Sequence, residues 1–142
     1  QMHYTASGKA TQDQSKIGLV FAKEPVQRRM ITMNATNAAF EIPAGAPAHE
    51  VRSGFTFGDE ATLISLMPHM HLRGKDFTYK VTYPTGETET LLNVPRYDFN
   101  WQLFYYFDQP KVMPKGAKME CIAHFDNSPN NKYNPDPKVN VR

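Results

Sequence analysis

The chain has a single cysteine, no long apolar run and no block of one charge. With Cys121 alone, an intrachain disulfide is impossible, which excludes the stapled scaffolds of small secreted domains. Cys121 stands between Glu120 and Ile122 in a strand-like run, the setting of a small buried hydrophobe, and no local pattern marks it as a nucleophile. No apolar stretch reaches the ~18 residues that a membrane-crossing helix needs. The n-region and h-region of a signal peptide are also missing. The 16 basic and 14 acidic residues leave a net charge of +2 with no basic cluster, which argues against nucleic acid and against an anionic membrane as partners. No phosphate-cradling glycine loop is present, because Arg73-Gly74-Lys75-Asp76 has no upstream glycine. No Gly-x-Ser-x-Gly elbow occurs either.

Helical periodicity and internal repeats are absent too. What is there is a 142-residue chain, one domain over residues 1–142 by length, with nine Phe, seven Tyr and one Trp to fill a core. Short apolar or alternating runs follow one another: residues 1–5, 17–22, 29–33, 39–43, 51–57, 61–72, 77–83, 88–94, 103–107 and 118–125. Turn signals such as Ala44-Gly45-Ala46-Pro47, Pro84-Thr85-Gly86 and Met113-Pro114-Lys115-Gly116 separate them. Short strands punctuated by 11 Pro and 8 Gly predict an all-β chain, an antiparallel β-sandwich of jelly-roll type. Residues 126–136 have almost nothing to bury and read as a long surface loop. Gln1 is not a start residue, and Val139–Arg142 reads as a strand just beginning. The chain therefore reads as a fragment of a longer one, secreted or periplasmic.

The stretch that organises the rest is Met67-Pro68-His69-Met70-His71-Leu72-Arg73-Gly74-Lys75. It continues the most strand-like run, and side chains two apart on a strand share a face. Ile64, Leu66, Met70 and Leu72 then point to a core, and Ser65, Met67, His69 and His71 point away. Two imidazoles on one face, with Cα atoms ~7 Å apart by strand rise, can converge on one transition metal. Imidazole suits Cu, Zn, Fe and Ni, and a Met67 thioether would tilt the choice to copper, although methionine more often packs in a core. His3 falls in an early strand. His124 falls in a late one, either as a hydrogen-bonded anchor of the long loop or as a third ligand or supporting partner. The densest aromatic run, Arg96 to Phe107, offers Tyr97 and Trp101 as a substrate or partner surface.

His69-Met70-His71-Leu72-Arg73-Gly74-Lys75 resembles the His-x-His…Gly-Lys segment of the copper type II, ascorbate-dependent monooxygenases. That family includes the peptidylglycine α-hydroxylating and dopamine β-monooxygenases. Gln1-Met2-His3-Tyr4 resembles the segment that enters the family's C-terminal catalytic domain. Ile42-Pro43-Ala44-Gly45 resembles its Ile-Pro-Pro-Gly turn, and Glu120-Cys121 resembles a basic-Cys pair late in that domain. The pieces occur in the family's order, and the chain looks closer to its bacterial relatives than to the animal enzymes. The resemblance implies a copper cofactor and hydroxylation of an activated C–H bond of a small-molecule or peptide substrate with O2 and an ascorbate-type reductant. It implies that His69 and His71 are the two His ligands of the oxygen-binding copper. It also implies that His3 is one of three His ligands of an electron-transfer copper, completed by an N-terminal domain or partner chain. The family's Met ligand falls beyond Arg142. The alternatives are a non-enzymatic metal-binding or structural module of an extracellular assembly, and a carbohydrate- or protein-binding sandwich that uses the aromatic run.

Overall fold

The computed structural model describes residues 4–142, so His3 and the first predicted strand lie largely outside the described residues. The chain divides into two units, one running up to Thr32 and the other Met33–Arg142.

In the first unit, the described residues form no strand. The apolar run at 17–22, expected to be a strand, is irregular there, with Val20 98% exposed and Ile17, Leu19 and Phe21 also open to solvent. Residues 29–33, another expected strand, are irregular and exposed as well. The reason is general: strand-forming side chains become a strand only when their backbone N–H and C=O groups find a neighbouring edge. Local order comes instead from Asp13, whose carboxylate accepts hydrogen bonds from the hydroxyls of Tyr4 (2.8 Å) and Ser15 (2.7 Å). Those bonds hold the Asp13 carboxyl below its usual range.

The second unit is all-β and antiparallel. Its strands are β1 (His49–Thr56), β2 (Ala61–Leu66), β3 (Gly74–Thr82), β4 (Thr88–Val94), β5 (Tyr105–Met113) and β6 (Lys118–Phe125). One sheet has four strands in the order β1-β6-β3-β4, and a second pairs β2 with β5. Alternation explains β3: Phe77, Tyr79 and Val81 are buried while the residues between them are not. The turn Pro84-Thr85-Gly86 returns the chain into β4, with Gly86 at a φ of 90° that favours glycine. β6 lies between β1 and β3 in the four-stranded sheet and is the most buried strand, with Met119, Cys121, Ile122, Ala123 and Phe125 all inside.

Side chains from both sheets meet in one buried cluster. Val51, Phe77, Val81, Met119 and Phe125 of the larger sheet join Leu66 and Met113 of the smaller one, and Val81 and Met113 have no exposed surface. Burying a valine or methionine of this kind stabilises the fold by about 2 kcal/mol. Cys121 belongs to the same cluster, and burial pushes its thiol up to about 11, so it is an inert core residue at neutral pH.

Two expected segments meet in an unexpected way. Residues 39–43 and 139–142 are not strands, but Ile42 and Val141 form an isolated antiparallel bridge, with N–H···O distances of 2.8 and 3.0 Å. Among the described residues no helix is long and apolar enough to cross a membrane.

Candidate metal centre

The expected strand over 61–72 stops at Leu66. Residues 67–73 form a loop, so strand pairing does not place His69 and His71. Leu72, expected in the core, is 38% exposed. The alternation survives all the same: Met70 is buried, and His69 and His71 on either side of it are exposed. Their rings lie edge to face with centroids 5.3 Å apart. The two imidazole rings therefore lie close together, on a loop and not on the face of a strand.

What holds the loop is a set of hydrogen bonds to nearly every one of its residues. The Tyr79 hydroxyl donates to the Met67 carbonyl at 2.8 Å. The Tyr97 hydroxyl grips Met70 twice, accepting from its N–H (3.0 Å) and donating to its C=O (2.6 Å). Burial raises the pKa of Tyr97, which keeps the phenol in the neutral form this double bond needs. The Gly74 N–H closes a turn on the His71 carbonyl at 2.8 Å. Gly74 is also sterically required: a Cβ there would sit 2.6 Å from Tyr97 Cδ1 and 2.8 Å from Met70 Cβ. The Gly-Lys that follows His-x-His thus permits the close approach of the tyrosine that holds it.

Arg73 ties the loop to the C-terminal segment. Its Nε donates to Asn127 Oδ1 at 2.8 Å, and its carbonyl accepts from the Asp126 N–H at 2.7 Å. Asn127 is fully buried. Its amide donates to the carbonyls of Pro43 and Val139, both at 2.9 Å, and its oxygen also accepts from Asn134 at 3.0 Å. The segment 126–136 is therefore not a plain surface loop: Asn127 and Ser128 are interior. Residue counting missed them because an asparagine that satisfies all its hydrogen bonds is stable inside, and polarity alone cannot reveal that.

The other candidates are distributed as follows. Met67 is half-buried, with its carbonyl committed to Tyr79. Tyr97 is half-buried and lines a cavity of about 290 Å³, together with Leu72, Arg96, Asp98, Phe99 and Tyr133. Trp101 is 61% exposed and is not among the residues lining that cavity. His124 lies on β6, in register with Glu50 of β1 and Asp76 of β3. Its Nδ1 is 2.6 Å from the Asp76 carboxylate and its Nε2 3.4 Å from that of Glu50. Both nitrogens face cross-strand carboxylates, so His124 ties three strands together. Arg52, bonded to both Glu50 and Glu120, extends the same row and holds the Glu50 carboxyl below its usual range.

Among the described residues no three His, Cys, Asp or Glu side chains form a group able to hold a metal ion. His69 and His71 stand as a pair, and His3 lies outside the described residues. One further contact was not foreseen from the sequence: the Gln102 side-chain oxygen lies 2.5 Å from His69 Nδ1. Comparison with protein-family models, with curated proteins and with solved structures finds no match.

Proposed function

We propose that this chain is the copper-binding C-terminal domain of a monooxygenase-like protein, built as a jelly-roll sandwich. The observation that carries the reading is the pair of exposed imidazoles, 5.3 Å apart, on a loop pinned by its neighbours. Two neutral imidazoles fit a borderline or soft transition metal and leave its other positions open. The resemblance of the His-x-His…Gly-Lys segment makes copper the choice among those metals. Copper bound there would supply the one-electron chemistry that lets O2 and an ascorbate-type reductant hydroxylate an activated C–H bond.

The protein's own residues supply position. His69 and His71 hold the ion, Tyr97 and Gly74 fix the loop between them, and Arg73 anchors it to Asn127. An open surface pocket beside Leu72, one residue after His71 and with Tyr97 in its wall, would receive part of a small-molecule or peptide substrate. An N-terminal domain or partner chain would complete the function, and His3 would serve a second copper there. The exposed apolar run at 17–22 supports such a partner, because a strand-like segment without an edge is a surface for pairing. The setting for this chemistry is secreted or periplasmic.

The test is copper binding by the purified chain, followed as Cu(I) against a competing chelator and as Cu(II) by electron paramagnetic resonance. One copper per chain, lost in the His69→Ala/His71→Ala double variant, is the expected result. Absence of specific copper, or binding that ignores the double variant, overturns the reading. A second reading, a carbohydrate- or protein-binding domain, draws support from Trp101, Phe104 and Tyr106, all more than half exposed. It predicts that Trp101→Ala weakens ligand capture while His69→Ala does not.

A further inference from the structure

We propose that Gln102 is a positioning residue that sets the tautomer of His69, so that Nε2 is the nitrogen offered to the metal. The inference rests on the metal reading above and assigns a role to a residue outside the His-x-His motif.

The argument is one of donors and acceptors. Gln102 lies 33 positions from His69 in the chain, in the aromatic run. Its amide nitrogen donates to the Phe99 carbonyl at 2.7 Å. A carbonyl can only accept, so this contact fixes which end of the amide is NH2 and which is oxygen. The oxygen, Oε1, is the end that meets His69 Nδ1. An amide oxygen has no proton to give, so Nδ1 must carry the hydrogen. A neutral imidazole with its hydrogen on Nδ1 has its lone pair on Nε2. The ring is thus oriented and its free electron pair assigned to Nε2 before any ion arrives, the arrangement by which a partner on the far nitrogen directs a metal-ligating histidine.

The turn that presents Gln102 is itself ordered. The Trp101 N–H donates to the Asp98 carbonyl at 2.9 Å, and the Asp98 carboxylate accepts from the Asn100 N–H at 2.8 Å. Tyr97, immediately before this turn, is the residue that clamps Met70. One short segment, 97–102, therefore holds the motif at two points: the backbone through Tyr97 and the His69 ring through Gln102. The aromatic run contributes to the site through an amide and a phenol as well as through its apolar faces.

The experiment is long-range ¹H–¹⁵N correlation of the His69 ring in the metal-free chain at about pH 8, where an unperturbed imidazole is neutral. It is run on wild type, Gln102→Ala and Gln102→Glu, and followed by copper competition on the same three proteins. Wild type is expected in the Nδ1–H form. Gln102→Ala should shift towards the Nε2–H form that a free histidine side chain favours, and Gln102→Glu, which keeps an acceptor, should retain Nδ1–H. Copper affinity should fall roughly tenfold or more in Gln102→Ala and recover in Gln102→Glu. An Nε2–H ring in wild type, or a Gln102→Ala protein with wild-type tautomer and affinity, overturns the proposal. If the tautomers behave as expected but none of the three proteins binds copper, the metal reading falls and the role of Gln102 towards a metal falls with it. The assignment of the His69 tautomer to Gln102 then stands, so the two failures are distinguishable.

Discussion

Residues 17–22 and 77–83 have similarly strand-like sequences, yet only the second forms a strand, as residues 77–82 of β3. Val81 has no exposed surface, and Val20 is 98% exposed. β3 is flanked by β4 and β6, which satisfy its backbone on both edges, and Phe77, Tyr79 and Val81 share one buried cluster with Met113 and Met119. Residues 17–22 have no pairing strand among the described residues of their unit. Strand propensity describes side chains that suit a pleated, half-buried surface; the neighbouring edge decides whether that surface exists. The loop 67–73 is a third case. It pairs with no strand, yet its backbone is held by side chains from elsewhere, and that lets it carry two exposed histidines in a set position.

The sharpest test of this contrast is one substitution made at both valines. Val81→Asp puts an unpaired carboxylate into the core and should cost about 4 kcal/mol or more, leaving little folded protein in chemical denaturation. Val20→Asp should stay within about 0.5 kcal/mol of wild type. Equal losses at the two positions would break the comparison, because residue 20 would then have to be buried.

Asn127→Ala addresses the loop. It removes four side-chain hydrogen bonds from a buried position, those to Arg73, Asn134, Pro43 and Val139. A loss of about 2–4 kcal/mol is expected. Amide exchange in residues 70–74 should accelerate more than in β3. Uniform acceleration would mean that Asn127 stabilises the fold generally and does not anchor the histidine loop.

Gly74→Ala is a smaller change at the same place. Its methyl would collide with Tyr97 and Met70, so a cost of about 1–3 kcal/mol is expected, with Tyr97 displaced from Met70. Tyrosine fluorescence would register it, as would copper competition at the proposed site. Wild-type behaviour in both would show that the close approach is not needed.

The smallest effect is alkaline. Burial raises the Cys121 thiol to about 11, and burial with the nearby Glu89 raises the Tyr83 phenol to about 12. For both groups the folded value lies above the unfolded one, so the neutral form is favoured by folding. The stability they contribute is complete below their ordinary values and is lost as pH rises through about 11 and then about 12. Denaturation midpoints should be flat up to about pH 9 and fall beyond it, with a shallower fall in Cys121→Ala. An identical fall in that variant would remove Cys121 from the account.

Much of the larger sheet was legible in the sequence. The expected runs 88–94 and 118–125 coincide with β4 and β6, and 51–57 and 77–83 overlap β1 and β3 closely. In β3 alternation matches the burial, and the turns at its ends contain the residues such turns need. The same signal failed at 17–22 and 29–33, because a period of two cannot report whether a partner strand is present. It also failed at 67–72, where Met70 is buried and the histidines exposed without any strand.

By itself, the sequence determined the all-β class, the strands of the larger sheet, the buried Cys121 and the presence of two histidines two positions apart. These follow from local alternation, turn chemistry and residue type, each readable within a few neighbours. The tertiary structure decided that Tyr97 clamps Met70 from 27 residues away, that Gln102 reaches His69 from 33, and that Arg73 meets a buried Asn127 54 residues on. Hydrogen bonds between residues so far apart leave no periodic trace in the chain, since nothing nearby in sequence has to change to accommodate them. The histidine pair is written locally, and the framework that holds it is assembled only by folding.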